Sequence, residues 1–244
     1  MGALSACRSD AGTAAFVDNT RITADQVDAT ESAIPTEVLT SGQVPLNVAR
    51  QVVIQDQTFL ALMKQYAKDN KLGAPSVTSD ELTVAGQSFN LNAAESQTNK
   101  WVQLVVNTAV WQNYLLSKTP TRPTTDADYK ALYQELVTTG VLKSTVTFAQ
   151  VQQTLQNEAP GFGNAVDLRA KLDAAAKTYD VSVNPRYLTT CTKAPCAGFE
   201  VPLLNIDDQQ TQVSFKGVYV QLGGDATPAV LDLPTPAPSA AAAQ

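Results

Sequence analysis

The chain has 244 residues, 44% of them hydrophobic and 16% charged, which suits a folded chain with a sizeable core and excludes a disordered tail protein or a highly charged coiled coil. It contains no histidine, so Ser-His-Asp and Cys-His catalysis and every metal site that needs an imidazole are excluded. The net charge is −6 and the 17 Lys and Arg are scattered singly, so there is no basic patch to drive duplex nucleic-acid binding by counterion release.

The first seven residues read Met-Gly-Ala-Leu-Ser-Ala-Cys. Leu4-Ser5-Ala6-Cys7 looks like a bacterial lipobox, in which small residues let a signal peptidase reach the bond before a cysteine that then carries the lipid. The basic n-region and long apolar h-region of a full export signal are not present here, and these residues are expected to be the end of a trimmed one. Residues 8–13 are small and polar and suit a flexible tether, so 1–13 reads as anchor and tether. Two or more acyl chains on Cys7 would hold the protein stably at the extracytoplasmic face of the cell membrane. The plain alternative is an ordinary start followed by a chance cysteine. No other stretch reaches about 18 uninterrupted apolar residues, so none spans a bilayer.

Further along, Phe16 to Thr23 reads as two short strands around an Asp18-Asn19 turn. Thr23 and Gln26 form a capping box for a first helix running to about Ile34, where Pro35 blocks continuation. Pro45 stands where an N1 proline belongs, ahead of Ala49, Val52, Val53, Leu60, Met63 and Ala67 at helical spacing. That helix is expected to stop near residues 70–73, with Gly73 as its left-handed cap. Thr78 and Glu81 cap a short helix ending near Asn90. Residues 93–117 are the most apolar in the chain, and Trp101, Leu104, Val105, Thr108, Trp111 and Leu115 mark one face of a single central helix. The prolines at 120 and 123 break it. Thr125 with Asp128 starts a helix closed by Gly140, and Thr147 with Gln150 caps another to about Asn157. Residues 160–164 read as a turn before a last helix carrying Val166, Leu168, Leu172 and Ala176. Val181–Val183 and Gly217–Leu222 are candidate strands. The fold class is therefore mainly α with a few short strands, in one domain over 14–227, followed by a Pro/Ala-rich tail over 228–244.

Cys191 and Cys196 enclose four residues. With Cys7 lipidated they make an even pair, as for one structural disulfide in an oxidising compartment, contributing about 2 kcal/mol for so short a loop. A thioredoxin-type redox motif wants two intervening residues, and a zinc site needs four ligands. A free reduced pair remains open if the protein is cytosolic.

The order of these elements, and above all Val183-Asn184-Pro185-Arg186-Tyr187 after the last helix, resembles the N-terminal chaperone domain of SurA-type periplasmic foldases, in its actinobacterial lipoprotein version. The likeness covers roughly residues 14–187. Parvulin prolyl-isomerase domains of such foldases use paired histidines. With no histidine and no spare stretch of that size, the resemblance implies a chaperone module without isomerase chemistry or cofactor. It also implies that unfolded or extended exported polypeptides are held in an apolar cleft between helices. Phe59, Met63, Tyr66, Trp101, Trp111 and Tyr114, on the two longest helices, are the candidate contacts for such a client. Taken singly, each fits a helical core more simply. The alternative of another class is a structural or adaptor lipoprotein that recognises one folded partner. An enzyme is not expected. The acidic pairs Asp126/Asp128, Asp28/Glu31 and Asp207/Asp208 read as helix N-terminal acids or solvated loop charges. Gly161-Phe162-Gly163 is not a phosphate loop, because no strand precedes it and no lysine follows.

Overall fold

A computed structural model describes residues 12–40, 49–138, 147–158 and 161–184, together with two strands at 198–200 and 219–221. Cys7, Pro45, Gly140, Cys191, Cys196 and the tail from 228 lie outside the described residues. The molecule is mainly helical with a small antiparallel sheet.

Strands β1 (Thr13–Val17) and β2 (Thr20–Thr23) form the expected hairpin. Asp18 turns it with a left-handed φ of 52°, a conformation Asp tolerates better than most side chains. Its amide N–H donates to the Tyr179 carbonyl at 2.8 Å. A third strand, β3 (Ser182–Val183), pairs with the other edge of β1. Just beyond it the Asn184 amide N–H reaches the Ala14 carbonyl at 2.8 Å and its Nδ2 reaches the Thr13 carbonyl at 3.0 Å. The sheet order β2-β1-β3 thus ties residue 184 back to residue 13.

The Thr23–Gln26 capping box starts α1 (Ala24–Glu31), with both reciprocal bonds formed at 2.9 and 3.2 Å. This helix ends short of Ile34, and Pro35 does more than block it. Its carbonyl accepts from Val38 N–H at 3.0 Å and so opens a further short helix, α2 (Thr36–Thr40), that the sequence reading missed. The long helix α3 (Ala49–Asp69) follows. Its left-handed cap is Lys71 (φ 54°) rather than Gly73, because Leu72 N–H bonds the Ala67 carbonyl and Lys71 N–H the Lys68 carbonyl, both Schellman contacts. Gly73, also left-handed at 76°, belongs to the turn beyond.

Thr78 and Glu81 box the start of α4 (Ser79–Gln87), and Asn90 in the left-handed region ends it. The expected single helix over 93–117 is two: α5 (Ala93–Thr98) and α6 (Lys100–Ser117). Asn99 divides them. Its backbone is extended, its Oδ1 accepts from Val102 N–H at 3.0 Å as the cap of α6, and its Nδ2 donates to the Ala33 carbonyl at 2.9 Å. An Asn side chain competing for backbone partners outweighs the helical periodicity around it.

Capping boxes at Thr125–Asp128 and Thr147–Gln150 start α7 (Asp126–Thr138) and α8 (Phe148–Glu158). The last helix, α9 (Phe162–Thr178), begins inside the stretch read as a turn. The strand expected near Val218 is β5 (Tyr219–Gln221), and it pairs with β4 (Gly198–Glu200) rather than with the N-terminal hairpin.

Two apolar cores share one spine. The first gathers Ala14, Ile22 and Val27 with Val53 and Ile54 of α3 and Trp101 and Leu104 of α6. The second gathers Phe59, Leu62 and Met63 of α3 and Trp111 and Leu115 of α6 with α7, α8 and α9. The early parts of both spine helices serve the first core and their later parts the second, so α3 and α6 run in the same sense. No helix among the described residues is long and apolar enough to cross a membrane.

The α4–α5 corner closes on Gly86, where a Cβ would fall 1.9 Å from the Ser96 hydroxyl and 2.4 Å from its Cβ. Gly86→Ala is therefore expected to destabilise by about 1–3 kcal/mol in urea unfolding. Adding Ser96→Gly should recover part of that loss, whereas independent sites would simply add.

Candidate functional site

The six aromatic and sulfur side chains proposed as client contacts divide between the two cores. Phe59 and Met63, on the inner face of α3, are 2% and 0% exposed. Trp111, on α6, joins them in the second core at 7%. Trp101 sits at 4% in the first core, ten residues earlier on α6 and so about 15 Å away along the helix axis. Its indole N–H meets no acceptor among the described residues. These four side chains are closed off from solvent, packed within the two cores that α3 and α6 share. The reason lies in the spine: α3 and α6 face each other along the inner sides of both, where a large apolar side chain stabilises most by leaving water.

Tyr66 and Tyr114 differ. Both are half-buried against the second core. Tyr114 stands edge-on to Trp111 (ring centroids 6.1 Å apart), donates its hydroxyl to the Leu72 carbonyl and carries the Lys118 ammonium 5.2 Å above its ring. Tyr133, Phe148 and Tyr179 also lie half-buried on this core, Tyr133 packing edge-on against Phe148. Burial, together with a hydrogen bond to the Asp69 carboxylate, pushes the Tyr179 hydroxyl up to about 12, so it stays a neutral donor at any physiological pH. Four tyrosines and Phe148 are thus half-buried against the second core, each with part of its ring in solvent. Val84 and Val137 are the large aliphatic side chains left mostly in solvent among the described residues.

Asp126/Asp128 and Asp28/Glu31 turn out to be structural, the second pair standing toward the C-terminal end of α1 rather than at its N-terminus, and Asp207/Asp208 lies outside the described residues. Arg50 bridges to Asp28 and, at 3.6 Å, to Glu31, clamping α1 on α3. Asp126 accepts from Gln152 Nε2 at 2.9 Å, between α7 and α8. Asp128 caps α7 and also accepts two bonds from Arg122, at 2.6 and 2.9 Å. Arg122 Nε donates to Asp167 of α9 at 2.8 Å, and the Arg122 amide N–H to Asn164 Oδ1 at 2.9 Å. One guanidinium thereby joins the 119–125 loop, α7 and α9. Sequence reasoning missed Arg122, though a lone arginine between two prolines, three residues before a Thr-x-x-Asp cap, was its visible signal. Gly163 is required here because a Cβ would come within 2.9 Å of the Arg122 carbonyl. The described residues contain no cluster of three or more Cys, Asp or Glu fit to hold a metal ion.

No known protein family, curated protein or solved structure matches this chain.

Arg122 beside Asp128 holds that carboxyl down at about 2, the hydrogen bond being the main cause. Its folded value lies below the ~3.9 of an unfolded Asp. The stabilisation is therefore present above about pH 4 and drains as pH falls toward 2. Asp128→Asn should lower the urea midpoint at pH 7 and flatten its decline over that acid window. A variant with the parent's acid slope would show that Asp128 does not carry it.

Proposed function

We propose that this chain is an extracytoplasmic lipoprotein, held to the membrane through Cys7, whose helical domain binds polypeptide by surface contact and has no prolyl isomerase activity. What supports the anchor is the Leu-Ser-Ala-Cys run followed by a short polar tether. What supports a SurA-like module is the hairpin, the boxed first helix and the late Ser182–Val183 strand, after which Asn184 fastens to residues 13 and 14.

Between the two kinds of partner, the observation that weighs most is the sealing of Trp101, Trp111, Phe59 and Met63. A holdase needs open apolar surface, and contiguous exposed patches above a few hundred Å² mark such surfaces. The residues nominated for that task are spent inside. The better supported reading is therefore an adaptor that recognises one folded partner. The holding of unfolded exported chains stands second, supported by the half-buried rings of Tyr66, Tyr114, Tyr133 and Phe148 on the second core, which would meet extended peptide without opening it.

Suppression of aggregation separates these readings. The adaptor reading expects no protection of several unrelated denatured proteins at one-to-one ratio. Protection of all of them, lost in Tyr66→Ala/Tyr114→Ala, would reverse the order. For the anchor, Cys7→Ala in the full precursor is expected to move the protein from membrane to soluble fraction, and unchanged partitioning would refute lipidation.

A further inference from the structure

Lipidation of Cys7, on which this inference rests, would fix more than location, because the tether is very short. Five residue steps separate Cys7 from Gly12. Whatever their conformation, they span at most about 18 Å. At Gly12 the chain is already held: its carbonyl accepts from Ala24 N–H at 2.9 Å, and Thr13 is fully buried at the start of β1. The fold therefore cannot tumble freely above the lipid, as a long Gly/Ser linker would allow.

Direction along the molecule follows from the packing. Ala14 and Ala15 lie in the first core with Ala49, Val53 and Ile54, whereas Val17 lies in the second with Phe59, Leu62 and Met63. From Gly12, β1 thus runs in the same sense as α3, from first core to second. The tether leaves at the first-core end. Among the described residues, the side chains beside its exit are polar and exposed: Arg21, whose guanidinium lies 3.3 Å from where a Gly12 Cβ would be, and Asp25, next to the Ala24 amide that bonds the Gly12 carbonyl. Such a surface suits contact with hydrated headgroups rather than insertion among acyl chains.

We propose that the end of the domain formed by Gly12, the β2–α1 junction at Thr23 and Ala24, and Asn184 faces the lipid surface at close range, with the second core and its half-buried tyrosines turned away from it. The half-buried rings of the second core then lie on the side where partners arrive, and partner recognition is confined to that outward lobe.

The two tryptophans report on this arrangement, one in each core. The full lipidated protein is bound to phosphatidylglycerol/phosphatidylcholine vesicles containing dansyl-phosphatidylethanolamine. Trp111→Phe leaves Trp101 as the donor, and Trp101→Phe leaves Trp111. Energy transfer from Trp101 is expected to exceed that from Trp111 about twofold or more, given their ~15 Å separation along α6. Inserting a 20-residue Gly/Ser segment after Cys7 is expected to abolish the difference while flotation with vesicles persists. Should either variant not fold, acylation of the parent protein read by mass spectrometry serves instead, with vesicle binding slowing Lys100 at the start of α6 more than Lys118 at its end. Flotation with equal transfer, or with stronger transfer from Trp111, overturns the orientation and leaves the anchor standing. Failure of the lipidated protein to float overturns both.

Discussion

Two helices that cannot tolerate water on their facing sides dictate the rest of this molecule. Helix α6 is apolar around most of its circumference, and Trp101, Val102, Leu104, Val106, Trp111 and Leu115 are all buried. Helix α3 brings Val53, Ile54, Phe59, Leu62 and Met63 against it. Each such side chain gains roughly 1.5–3 kcal/mol by leaving water, so the pair is stable only when sheathed on all sides. The hairpin, α1 and α2 cover one stretch of the spine, and α7, α8 and α9 cover the next. Polar contacts then hold the sheath in place: Arg50 fastens α1, Asn99 fastens the start of α6, and Arg122 ties the 119–125 loop to α7 and α9.

Much of this was legible from local chemistry. Thr23-x-x-Gln26, Thr78-x-x-Glu81, Thr125-x-x-Asp128 and Thr147-x-x-Gln150 each predict a helix start, and each forms its reciprocal bonds. Such signals are readable because donor and acceptor lie three residues apart and need no tertiary partner. Where the outcome depended on distant contacts, the reading failed. Asn99 looks like one residue in a long apolar run, and only the Ala33 carbonyl, 66 positions away, makes it a break. Lys71 displaces Gly73 as the cap because the α3 ladder ends two residues earlier than composition suggests. The first turn of α9 was hidden for a similar reason: Phe162 is drawn into register by stacking on Tyr129, with ring centroids 5.8 Å apart.

The candidate site was the least legible feature. Large aromatic side chains recurring every three or four residues have the same periodicity whether they line a cleft or fill a core, so Trp101 and Tyr114 could not be told apart by spacing. Their difference is one of partner: Trp111 and Trp101 meet α3 and its neighbours, while Tyr114 sits where α6 runs out past the end of α3 and can bond the Leu72 carbonyl. The division into a sealed spine and half-buried rings on the second core also sets what this domain can do. A partner can be met by those rings at little structural cost, but reaching the tryptophans would require prising apart α3 and α6 and losing both cores together.

Acrylamide quenching of tryptophan fluorescence, with and without an unfolded client protein that itself lacks tryptophan, tests this sealed spine most directly. The account predicts blue-shifted emission, weak quenching of both Trp101 and Trp111, and no change when the client is added. Strong quenching in the folded protein that the client then suppresses would contradict it, and would return both rings to an open, client-holding cleft.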